Sequence, residues 1–247
     1  ETAVALAQRN GQQAAAAELL KVGARDETPY ADLSAEQALF KAIRRGDADK
    51  VEQLLARGVD PRYRDPLTGV TPLACAAYVG ANGLMERLLE HGADVDNVPW
   101  GLSAQRIEAS SVPVRERDLL RAVADGDTAL LMAVRRGDVD AVWALLDRGA
   151  DVRLPNRNGE TPALVAVRAG AIDILRALLT KGLDLNASAP PLERGYMIAS
   201  LVSKGAPPPL LVEAARNGHA ELVGLLLDAG AEPDARDGQG RSALYWA

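Results

Sequence analysis

The chain has 247 residues, 48% hydrophobic and 25% charged, with a formal net charge of −6. That acidic balance argues against nucleic acid as the main partner, since a phosphate backbone calls for a basic face. One cysteine, Cys75, excludes an intrachain disulfide, a CxxC motif and a zinc knuckle, and no apolar run approaches a membrane span.

Aromatic residues make up only 4% of the chain, so alanine and leucine must fill the core, as in thin helical layers. No start methionine and no signal-like segment open the chain, and Glu1 reads as a cut point.

Taken in chain order, one pattern recurs. Leu-Leu-x-x-Gly ends a unit at Gly23, Gly58, Gly92, Gly149, Gly182 and Gly230. Twelve residues before each lies another glycine: Gly11, Gly46, Gly80, Gly137, Gly170 and Gly218. Nine residues further back stand Thr2, Gln37, Thr71, Thr128, Thr161 and Pro209, and five residues into each unit comes an alanine. A seventh unit opens at Ser242 and reaches Ala247 at that alanine position.

Fixed spacing over six copies marks a repeat array. The predicted units cover about 2–24, 37–60, 71–94, 128–151, 161–184 and 209–232, with a partial one at 242–247.

Each unit reads as two short helices. The threonine caps the first, and Pro72 and Pro162 suit its first turn. The middle glycine ends that helix in the left-handed region, and the second helix carries the leucine pair. Gly69, Gly126, Gly159 and Gly240, two residues before the next threonine or serine, supply hairpin turns. A single unit buries too little apolar surface to offset its ordering entropy, so neighbours must stack.

The strings TPLACAAYVG, ETPALVAVRAG and VEAARNGHAELVGLLLDAGAEPD resemble the ankyrin repeat. The resemblance covers about two-thirds of the chain. It implies an all-α solenoid of stacked helix pairs with hairpin fingers, curved, with a concave side used for protein recognition. The chain departs from the family where a histidine normally follows the threonine by three residues. Ala5, Phe40, Ala74, Leu131, Leu164, Val212 and Tyr245 stand there, which predicts fingers that are looser or held by apolar contact.

Closing glycines lie 35, 34, 57, 33 and 48 residues apart, which places insertions at about 97–124 and 187–208. Leu119, Ala122, Val123 and Gly126 copy a first helix, and Leu201 and Gly205 copy the tail of a second. Two readings stand open: eroded repeats that still fill a layer, or functional loops on one face.

Enzyme motifs are missing. His91 and His219 are accounted for by the repeat, Gly238-Gln239-Gly240 is a hairpin tip without a P-loop lysine, and Cys75 sits among core alanines. No cofactor or metal is expected. Arg45-Gly46-Asp47 and Arg136-Gly137-Asp138 place their glycines at helix ends, so an adhesion role is not expected, and Asn186-Ala187-Ser188 fits a glycosylation sequon.

A binding face follows from comparing equivalent positions. Seven residues after the threonine come Arg9, Arg44, Tyr78, Arg135, Arg168 and Arg216, a cationic ladder broken by one tyrosine. The next position adds Arg45, Val79 and Arg136, while Leu67 and Val70 lie on the finger before Thr71. Tyrosine and arginine are enriched at binding hot spots, although a plain solvated face fits the same residues. Trp143 replaces small or charged residues at an outer position of its second helix. It is either packed under the first insertion, with Trp100, or part of a second binding face.

The expected function is a non-enzymatic protein-binding scaffold, its partner an acidic segment with an apolar anchor. The alternatives are a targeting domain of a larger enzyme or effector, and an inhibitor or immunity protein that occludes an active site. The compartment stays open, the cytoplasm being the default and the periplasm or secretion the alternatives. At the far end, Leu244, Tyr245 and Trp246 are expected to lack a cap, so that further residues or another molecule would sit there.

Overall fold

A computed structural model describes residues 34–65, 69–98, 114–186 and 208–247, with side chains from 118 onward in the third of these segments. The first predicted unit (2–24), Arg9, Leu67, Trp100 and nearly all of the second insertion lie outside the described residues. So does the finger contact expected of Leu67.

The described residues form two compact units, one up to Ala93 together with 114–124, the other 94–98 together with 125–186 and 208–247.

The first unit holds α1 (Ala35–Arg45), α2 (Ala48–Ala56), α3 (Pro72–Val79) and α4 (Asn82–Glu90), and most of α5 (Val114–Asp125). Each pair folds back on itself, α1 on α2 and α3 on α4. First helix stacks on first helix (α1 on α3) and second on second (α2 on α4).

The second unit repeats this plan with α6 (Ala129–Arg136), α7 (Val139–Asp147), α8 (Pro162–Arg168), α9 (Ile172–Thr180), α10 (Leu210–Arg216) and α11 (Ala220–Asp228), followed by α12 (Ala243–Trp246). Here α6, α8, α10 and α12 stack in series, and α7 packs on α9. Among the described residues the only strand-like pairing is one antiparallel bridge, Arg236 to Ser242.

Local chemistry sets these helices as the repeat predicts. The hydroxyls of Thr71, Thr128 and Thr161 accept from the backbone N–H of Ala74, Leu131 and Leu164 at 3.1, 3.2 and 3.2 Å. Gly80 ends α3 at φ +74, a left-handed conformation that a side chain would strain. Ala42, Ala76, Ala133, Ala166 and Ala214, the small residues of the first helices, are all fully buried, which lets those helices approach. The first leucine of each pair (Leu54, Leu88, Leu145, Leu178, Leu226) is buried as well, and Cys75 is a buried filler between Ala74 and Ala76.

Two expectations are corrected, the start of one helix and the chemistry of the fingers. The helix read as starting at Gln37 begins a turn earlier, because Ser34 is its cap and Gln37 completes a capping box with it.

Across the second insertion, whose residues 187–207 lie outside the described ones, α8 packs directly on α10. The Asn186 side chain, just before that segment, donates to the Gly230 carbonyl at 3.0 Å and accepts from the Glu232 N–H at 3.1 Å. The first helices on its two sides therefore stack on each other.

The hairpin fingers lack the family histidine but are not uniformly apolar. In the first unit the Phe40 ring does meet Tyr63, with centroids 6.1 Å apart. In the second, polar side chains brace the fingers instead. Asn156 Oδ1 accepts from the N–H of Asn158 and Glu160, and Asp237 Oδ1 from the N–H of Gln239 and Arg241.

Candidate binding face

The described residues singled out from equivalent positions lie in the last turns of the first helices of each unit. In the first unit Arg44 and Arg45 close α1 and are exposed, while Tyr78 and Val79 close α3 and are half-buried. Packing of α1 on α3 brings these positions onto neighbouring layers. Val70 is only 6% exposed, so it belongs to the core beneath the finger rather than to the face.

In the second unit the arginines are held by carboxylates that the register comparison could not reveal. Arg135 donates from Nε to Asp127 Oδ2 at 2.7 Å and from Nη2 to Glu160 Oε2 at 2.5 Å. Glu160 takes Arg168 Nη1 on its other oxygen at 2.9 Å, and Arg168 Nε donates to Glu213 Oε1 at 2.7 Å. Arg216 Nη1 lies 3.8 Å from Glu213 Oε2.

The cationic ladder is thus an alternating one: Asp127, Arg135, Glu160, Arg168, Glu213, Arg216. Asp127 and Glu160 each precede a capping threonine, and Glu213 lies inside α10, which is why one register position saw only the positive half. Arg136 is exposed beside this row at the end of α6.

Burial and charge oppose each other along the row. Burial pushes the Asp127 carboxyl up, with hydrogen bonds from Arg135 and Asn156 working against it. Burial would also raise Glu160, but the hydrogen bond and charge of Arg135, with help from Asn156 and Arg168, hold it below the usual carboxylate range. For Arg135, burial favours the neutral form and is outweighed by Asp127 and Glu160, so its guanidinium stays charged.

The other singled-out residues resolve simply. Asp47 and Asp138, the acids of the two Arg-Gly-Asp triplets, cap α2 and α7 by accepting from the N–H of Lys50 and Ala141. His91 Nε2 lies 3.3 Å from Glu52, and His219 Nε2 3.3 Å from the Arg168 carbonyl. Among the described residues no group of histidine, cysteine and carboxylate side chains is placed to hold a metal, and no helix is long and apolar enough to cross a membrane. Trp143 is 37% exposed on α7. At the far end Leu244 and Tyr245 are exposed, whereas the Trp246 ring lies under two guanidinium groups, Arg241 at 4.5 Å and Arg216 at 5.4 Å.

Stacked helix pairs with capping threonines, nested alanines and hairpin turns define a helical-repeat protein. The family model described as "Ankyrin repeats (3 copies)" matches residues 4–99 and 109–189, and "Ankyrin repeats (many copies)" matches 211–247. The chain belongs to the ankyrin repeat family, an all-α repeat fold that serves protein interaction.

Relatives include mouse "2-5A-dependent ribonuclease", 39% identical over 59 residues, which are 24% of this chain and 8% of that protein. "Ankyrin repeat domain-containing protein SAT10" from Stachybotrys chartarum is 36% identical over 124 residues, 47% of this chain and 6% of its own length. Human "Ankyrin repeat and SOCS box protein 6" is 27% identical over 150 residues, 53% of this chain and 35% of that protein. The chain therefore spans about a third or less of each of these relatives.

Proposed function

We propose that the chain is a non-enzymatic protein-binding module that engages its partner through the last turns of the first helices and the neighbouring fingers. The observation that carries this is the surfacing of arginine and tyrosine at equivalent turns of successive layers, above a core of buried alanine and leucine. Each compact unit carries its own kind of surface. In the first unit Arg44 and Arg45 end the helix that stacks on the one ending in Tyr78 and Val79, which suits an acidic segment carrying an apolar anchor. In the second unit the positive charge of Arg135, Arg168 and Arg216 is matched by Asp127, Glu160 and Glu213. Trp143 on the outer side of α7 is a separate candidate contact.

Affinity capture from native lysate with mass spectrometry identifies the partner, and calorimetry with Tyr78→Ala tests the face. Tyr78→Ala is expected to weaken binding about tenfold or more with the helical spectrum unchanged. Unaltered affinity removes this face from the reading.

A second reading is a targeting module within a larger enzyme or effector. It is favoured by the two relatives whose matched repeats are under a tenth of their own length.

A further inference from the structure

The alternating row in the second unit narrows the partner's chemistry. Arg135 uses Nε and Nη2 on Asp127 and Glu160, and Arg168 uses Nε and Nη1 on Glu213 and Glu160. That leaves Arg135 Nη1 and Arg168 Nη2 without a hydrogen-bond partner among the described residues. Both side chains are open to solvent, 38% and 42% exposed. Each guanidinium is planar and pinned at two edges, so its remaining N–H donors are fixed in direction.

Their charge is already balanced, three guanidinium groups against the carboxylates of Asp127, Glu160 and Glu213. An incoming carboxylate would meet these three acids and would have to compete with them for the same arginines. A neutral acceptor meets no such repulsion and takes up the unused N–H groups.

The spacing selects further. Arg135 and Arg168 sit on opposite oxygens of the one Glu160 carboxylate, which fixes their guanidinium groups two hydrogen bonds and a carboxylate width apart. An extended chain presents carbonyl groups on one side at about 6.6 Å, twice its rise per residue.

Resting on the protein-binding reading above, the geometry points to an extended, uncharged peptide segment as the occupant of the second unit's face, with Arg135 and Arg168 donating to backbone carbonyls of its residues i and i+2.

The test selects peptides from a random displayed library on the intact chain. Each selected peptide is then titrated against wild type, Arg135→Lys, Arg168→Lys and Tyr78→Ala by fluorescence polarisation. Lysine keeps the positive charge beside the carboxylates but loses the forked donor, and circular dichroism checks that each variant is folded.

The expected result is a set of peptides weakened at least about tenfold by either lysine variant, not enriched in Asp or Glu. Their affinity should change less than about twofold between roughly 50 and 500 mM salt. The inference is overturned if the lysine-sensitive peptides are acid-rich and lose binding steeply with salt. It is also overturned if peptides respond to Tyr78→Ala but not to the lysine variants, in which case the binding face stands. If no selected peptide responds to any of the three variants, the binding face and the inference fall together.

Discussion

Arg168 at the end of α8 donates from Nε to Oε1 of Glu213 inside α10, 45 residues later in sequence and 2.7 Å away in space. Glu213 is only 5% exposed, so this contact closes a buried carboxylate and ties two layers that the second insertion separates along the chain. The stacking of α8 on α10 and the Asn186 clamp give the same adjacency from two other sides of the layer.

Removing the charge at this contact measures its worth. Glu213→Gln is expected to destabilise the chain by about 1–2 kcal/mol, the lower part of the range for a buried charged hydrogen bond because Arg168 is solvent-screened. Urea unfolding followed by circular dichroism reads this out, and an unshifted midpoint would show that the contact carries no net stability.

Gly170 and Gly137 separate two effects of glycine. Both take positive φ, +69 and +71, but a Cβ on Gly170 would sit 3.1 Å from the His219 ring while one on Gly137 meets nothing within 4 Å. Gly137→Ala should cost about 1 kcal/mol from backbone strain alone. Gly170→Ala should cost clearly more, and in a His219→Ala background its cost should fall back to that of Gly137→Ala. Equal costs for the two single variants would reject the packing of His219 over that turn.

Asn186 spans two layers with both ends of its amide. Asn186→Ala is expected to cost about 1–2 kcal/mol for two exposed hydrogen bonds lost together.

Acid should discriminate the two carboxylates that Arg135 holds. Glu160 titrates below its usual range, so its stabilisation is present above the unfolded value and is lost as pH falls through the lower folded one. Asp127 is shifted upward by burial, so its contribution has the opposite sign: present below the unfolded value and lost as pH rises through the raised folded one. Urea midpoints between about pH 3 and 6 should show Glu160→Gln flattening the acid loss of stability and Asp127→Asn steepening it. Identical profiles for both variants would contradict the opposed shifts.

The repeat was readable because its determinants are local. Thr71, Thr128 and Thr161 cap their own helices, the middle glycines close them, and the alanine beat sets how near the next helix comes. Each of these works within a few residues, so fixed spacing in the chain carries it. Arg44, Tyr78, Arg135, Arg168 and Arg216 were likewise legible as equivalent positions on one turn of successive first helices. Ser34 escaped the register because a capping box replaces the usual threonine with a pair, Ser34 and Gln37.

Sequence alone determined that short helix pairs pile up at a constant period, since helix caps, left-handed glycines and apolar periodicity act over one or two turns. It could not decide what neutralises the arginines, because Asp127, Glu160 and Glu213 occupy different register positions and meet Arg135 and Arg168 only once layers stack. Nor could it decide that residues on either side of 187–207 are neighbours. Charge pairing and layer adjacency depend on distance in space, and the stacking of α6, α8 and α10 sets those distances.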